Sequence, residues 1–160
     1  MALTPQFSEK ELEQFLLQCQ RIIVTYITTA LKALGEDCVN KIRDRASIES
    51  WIDRTANLRS SIAYAVTQKG EQALTGGFKT VLGAKAGEAT AKAFLKSLLP
   101  LYTDTYALIV IAGMEYAEYV EAIEGKDVIA STRMWAEAEI EKRLNYALQR
   151  AENRINKLKI

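Results

Sequence analysis

The stretch Ser8–Ile42, SEKELEQFLLQCQRIIVTYITTALKALGEDCVNKI, decides the fold. Its opening, Ser8-Glu9-Lys10-Glu11, reads as a capping box. The Ser8 hydroxyl is placed to accept the backbone N–H of Glu11, and the Glu11 carboxylate to reach back to the N-cap. Phe7 and Leu12 stand at the staple positions on either side. Apolar residues then recur at Leu12, Phe15, Leu16, Cys19, Ile22, Ile23, Tyr26, Ile27, Ala30, Leu31, Leu34, Cys38 and Ile42. These steps of three and four mark one amphipathic helix, expected over residues 8–46. At 1.5 Å per residue it would be about 55 Å long. A helix of that length overreaches a 160-residue globule. It breaks near Gly35, or it leans on something outside its own chain.

Beyond this helix the pattern changes. Residues 47–57 read as a turn region carrying Trp51. From about residue 58, Leu58, Ser60, Ile62, Tyr64 and Val66 alternate with Arg59, Ser61, Ala63 and Ala65, which predicts a strand. Residues 68–87 hold five of the eight glycines and read as a loop or loose hairpin. A short helix is expected over about 88–99, stopped by Pro100. The run Thr105–Ala112 is the strongest strand signal, apolar on both faces as in a central strand covered twice. Gly113-Met114-Glu115 turns the chain, and residues 116–123 are a third strand or a short irregular helix. Trp135, Leu144, Leu148, Ala151, Ile155 and Leu158 predict a final helix over about 131–158. The order gives an α+β fold in one domain spanning residues 1–160. It consists of a small, mostly antiparallel sheet packed with a long N-terminal and a C-terminal helix.

Composition narrows the chemistry. There is no histidine, which removes Ser-His-Asp and Cys-His catalysis and histidine metal ligands together. Cys19 and Cys38 lie in the one long helix, about 28 Å apart and beyond disulfide reach, and there is no C-x-x-C. No metal and no cofactor are therefore expected. With 21 Lys and Arg against 20 Asp and Glu, the net charge of +1 argues against a strongly basic nucleic-acid binder. The N-terminus lacks the cationic start and apolar run of a signal peptide. The most apolar run, from Ala107 to Ala112, is far shorter than the roughly 20 residues of a membrane span. No membrane contact is expected.

Three features could still carry function. Glu115, Glu118, Glu121 and Glu124 cluster, but an acid–base pair needs two carboxylates fixed in a desolvated cleft, and their interleaving with Tyr116, Ala117, Tyr119 and Val120 suits a solvated or interface face better. The glycines of 76–85 do not match G-x-x-x-x-G-K-[ST] and read as plain loop. The tail places Arg143, Arg150, Arg154, Lys157 and Lys159 against Glu152 alone. That is either a solvated helix end or a basic rim, and the rim would suit a nucleic-acid-associated regulatory or packaging protein.

Two blocks carry a family resemblance. Thr55-Ala56-Asn57-Leu58-Arg59-Ser60-Ser61-Ile62 resembles the D-T-G-x-L-R-x-S-I signature of the tail-completion, or head–tail joining (neck), proteins of long-tailed bacteriophages. Some 45 residues on, the strand ending at Ile111, Gly113 and Tyr116-Ala117-Glu118-Tyr119-Val120-Glu121 is similar to that family's G-x-x-Y-A-x-x-V-E block. Ala56 stands where the signature has glycine, and the nearest acidic residue is Asp53 rather than the residue before Thr55.

The resemblance implies a structural protein without catalysis. It would sit in the virion neck after assembly in the host cytoplasm, as a hexameric or dodecameric ring of identical copies. Its neighbours would be a portal-side connector and tail-tube or terminator proteins. DNA passing through the lumen could be touched without regard to sequence. The interface residues expected on this basis are Arg59, Tyr116, Tyr119, Glu121, Arg150, Arg154 and Lys157, with Arg59 and the tail cations pairing with Glu118 or Glu121 within or between subunits.

Overall fold

The computed structural model describes residues 7–45, 51–52, 54–69, 71, 73–122 and 126–158. Helix α1 runs unbroken over Glu9–Arg43. Its capping box forms as the sequence dictates: the Glu11 N–H donates to Ser8 Oγ at 3.3 Å, and the Ser8 N–H donates to Glu11 Oε2 at 2.7 Å. Glu9 and Glu11 sit at its positive end and Lys41 and Arg43 at its negative end, where each complements the helix dipole. The helix stops at Asp44, slightly short of the expected residue 46.

Gly35 does not break it. The glycine is buried because a side chain there would strike the core: a Cβ would come within 2.5 Å of Tyr64 Cδ2. Tyr64 is fully buried, and its hydroxyl donates to Glu36 Oε1 at 2.9 Å. Burial first, and the Glu36 carboxylate second, push the phenol pKa above its ordinary value. One turn further on, burial raises the Cys38 thiol to about 11.

The strand expected from residue 58 begins later. Asn57–Ser60 form a single helical turn, α2, and strand β1 spans Ile62–Thr67. The alternation misleads because α2 is itself wedged into the core, with Leu58 and Ser60 buried as completely as strand residues. The Ser61 N–H closes the turn on the Asn57 and Leu58 carbonyls.

β1 pairs antiparallel with β2 (Leu74–Gly76), making the loose hairpin of the glycine-rich segment, and with β3 (Ala107–Ala112). The strand order is β2-β1-β3. Thus β1, not the 105–112 segment, is the central strand, and β3 lies at an edge. The apolar run of β3 reflects cover on its faces, which says nothing about its edges. Ile62, Tyr64 and Val66 of β1 pack with Leu31, Val39 and Ile42 of α1. Ala63 and Ala65 point the other way, where their small size lets Ala91 and Leu95 of α3 (Lys85–Leu98) close in.

α3 begins three residues earlier than expected, and Pro100 falls in a 3₁₀ turn, Leu99–Tyr102, that follows it. Residues 117–122 settle as a short helix, α4. Helix α5 covers Ala130–Ile155 and packs along α1. The fold is α+β, with α1 and α5 on one side of a three-stranded antiparallel sheet and α3 on the other.

Candidate interaction surfaces

The first block of the sequence closes the end of α1. Ala56 takes a left-handed conformation, φ 57°, at the entry to α2. Glycine enters that region freely and alanine does not, which gives a reason for the glycine of the signature at this position. The turn aims Arg59 at the carboxyl end of α1, where carbonyls lack helical partners. Its Nη1 donates to the Arg43 carbonyl and its Nη2 to the Arg45 carbonyl at 3.3 Å. Arg43 returns the contact: Nε donates to the Arg59 carbonyl at 3.0 Å and Nη2 to the Ile62 carbonyl at 2.5 Å. Arg59 also lies 4.8 Å over the ring of buried Trp51. The two arginines form a clasp that holds α1, α2 and the start of β1 together. Ser60 ties the same turn to the loop before α3, accepting from the Val81 N–H at 2.8 Å.

A second junction joins α1 to α5. Arg45, with a side chain 9% exposed, meets Asp127 Oδ2 at 2.8 Å and donates to the Asp127 carbonyl, Ser131 Oγ and Thr132 Oγ1. Partial burial alone would raise the Asp127 carboxyl pKa. The Ser131 hydroxyl and amide and the Arg45 guanidinium outweigh it and hold the pKa below its ordinary value. Glu121 completes this junction: its Oε1 accepts the N–H groups of Ile129 at 3.2 Å and Ala130 at 2.6 Å. It caps the amino end of α5, where a negative charge is favoured.

Of the expected interface residues, Arg59 and Glu121 are thus occupied by main-chain groups at the ends of different helices. Glu115 and Glu118 are exposed and Glu121 is half-buried. Glu124, Asp53 and Lys159 lie outside the described residues. Tyr119 is 69% exposed. Tyr116 borders a groove of about 420 Å³ shared with Trp51, Ile52, Arg54, Thr55 and Val120.

The basic tail divides. Arg143 is drawn into the fold, donating to Asp37 Oδ2 at 2.6 Å. Arg154 and Lys157 are exposed. Arg150 lies 5.4 Å from the ring of Tyr26 and 5.8 Å from that of Tyr146, on the seam between α1 and α5. Tyr26, Tyr146 and Arg45 have no distinguishing mark in the sequence. The two tyrosines look like members of their helical stripes, and only the antiparallel pairing of α1 with α5 brings them to Arg150. Among the described residues no group of His, Cys, Asp or Glu is arranged to hold a metal ion, and no helix is long and apolar enough to cross a membrane.

A family model described as "Bacteriophage HK97-gp10, putative tail-component" matches residues 10–122. The chain belongs to this HK97-gp10-like family. The family is one of bacteriophage tail components by its description. The match covers α1 to α4 and takes in both blocks, including the Arg43–Arg59 clasp, while α5, with the Tyr146 and Arg150 side of the seam, lies beyond it. No curated protein and no solved structure gives a match.

Proposed function

We propose that this HK97-gp10-like protein acts in the phage neck, where a ring of identical copies joins the DNA-filled head to the tail. The observation that carries this is the Thr55–Ile62 block with its clasp. Its likeness is to head–tail joining proteins, and it lies within the residues that match the tail-component family. Two unlike surfaces support a ring. The first turns of α1 stand exposed, and the α1–α5 seam is an open groove elsewhere on the molecule. A cyclic assembly is built by joining unlike surfaces of successive copies. The neighbours are then a portal-side connector on one side and tail-tube or terminator proteins on the other. Arg154 and Lys157 are candidates for contact with DNA in the lumen through its phosphates alone.

Inactivating the gene tests this. Filled heads and finished tails should accumulate unjoined, and added purified protein should restore joining. Normal particles would overturn the proposal, and tails of uncontrolled length would move the protein from the junction to the tube.

A further inference from the structure

Among the described residues, none in the first turns of α1 is fully buried, and only Phe15 and Cys19 are half-buried. α1 and α5 run antiparallel, as Lys41 over Trp135, Asp37 beside Arg143 and Tyr26 beside Arg150 show. Carried along both axes, that pairing brings α5 to its end at Ile155 near residue 21 of α1. Glu9 to Gln20 therefore project past it by about 18 Å, at 1.5 Å per residue. The burial agrees: every buried residue of α1 lies at Thr28 or later. Yet the projecting turns are not polar all round. Leu12, Leu16 and Leu17 are 37%, 57% and 47% exposed, on a face flanked by Glu9 and Glu13. A solvated helix end has no use for three leucines on one face.

The α1–α5 seam is its complement in shape and charge. A groove of about 420 Å³ has a floor of Ala30, Ala33 and Ala147 and walls that include Tyr26, Tyr146 and Arg150. Small residues on a helix pair leave room for large side chains from a third helix. Among the described residues, Lys142, Arg143 and Arg150 line it, with Glu139 as the one acidic residue. The projecting turns instead carry Glu9, Glu11 and Glu13 against Lys10.

We infer that the projecting first turns of α1 dock into the α1–α5 groove of a second copy of this chain. Leu12 and Leu16 enter over the alanine floor, and Glu9 and Glu13 meet Lys142 and Arg150. The contact joins two different surfaces and leaves one of each free, so it propagates head to tail and closes a ring when the rotation allows. It deepens the neck proposal, since it names the surfaces that would hold such a ring.

The test is sedimentation and native mass measurement of the full chain, with helicity checked by circular dichroism. The wild type should form closed multimers. Leu16→Glu and Arg150→Glu lie on exposed positions and should each weaken self-association roughly thirtyfold or more, the scale of an interface anchor. Mixing the two variants should give a one-to-one dimer, because each keeps the surface the other lacks. The charge reversal Glu13→Lys should be partly restored by Lys142→Glu on the partner. Multimers that persist unchanged in both single variants would overturn this contact while leaving a ring intact. A wild type that stays monomeric at all concentrations would overturn the contact as well, and the particle phenotype above would then decide the neck proposal separately.

Discussion

Single residues carry the tightest constraints in this fold. Alanine in place of a mid-helix glycine ordinarily stabilises a protein by about 1 kcal/mol. At Gly35 the sign reverses, because the added methyl would overlap the Tyr64 ring. Gly35→Ala should cost about 1–3 kcal/mol in urea unfolding, the range for overpacking, and shrinking the ring with Tyr64→Leu should make the two changes non-additive. Arg59 makes a second such case. Arg59→Ala removes two charge-assisted bonds to the end of α1 and the contact with Trp51. A loss of about 2–3 kcal/mol is expected. Arg59→Lys should recover only part of it, since an ammonium cannot reach two carbonyls as a planar fork does. Thermal melts of the three proteins check this.

At the scale of elements, the ends of the helices decide how they are joined. The Arg45–Asp127 junction makes stability depend on pH in a definite direction. The Asp127 pKa is lower in the folded chain than the ordinary value of 3.8, so the folded state favours the ionised form. Its contribution is complete above that value and is lost as pH falls through the lower folded value. Asp127→Asn should therefore cost about 1.5–3 kcal/mol near neutrality, with the gap to wild type closing below about pH 4. Denaturant unfolding at several pH values measures it, and a gap that stays constant with pH would show that ionisation plays no part.

Elements also show what a sequence can reveal. The capping box and the three-and-four periodicity of α1 are local, and both were legible without coordinates. The α2 turn is not, because its buried residues, Ala56, Leu58 and Ser60, alternate as they would in a strand. Nor was the position of β3. Its apolar run reports cover above and below, whereas strand order depends on which edges pair. In the sequence, Arg59 and Glu121 stand out only as charged residues within the two blocks. That within one chain each binds main-chain groups follows from helix ends brought together by the fold.

For the whole molecule, one property of the sequence led furthest. A helix longer than its own domain has to end in solvent or on a neighbour. Gly35 offered a break, but the structure uses that glycine for closeness to Tyr64 and lets the helix run on. The core gathers around the carboxyl half of α1, and the amino half is left with leucines exposed and glutamates beside them. Membership of a tail-component family places such a surface among other structural proteins. The groove that suits it lies partly on α5, so Tyr146 and Arg150 fall outside the residues that match the family while Tyr26 falls within them.

Cryo-electron microscopy of intact particles should show a closed ring of this chain at the head–tail junction, with the first turns of α1 from each copy lying across the α1–α5 seam of the next. Density for the chain spread along the tail tube, or none at the junction, would contradict it.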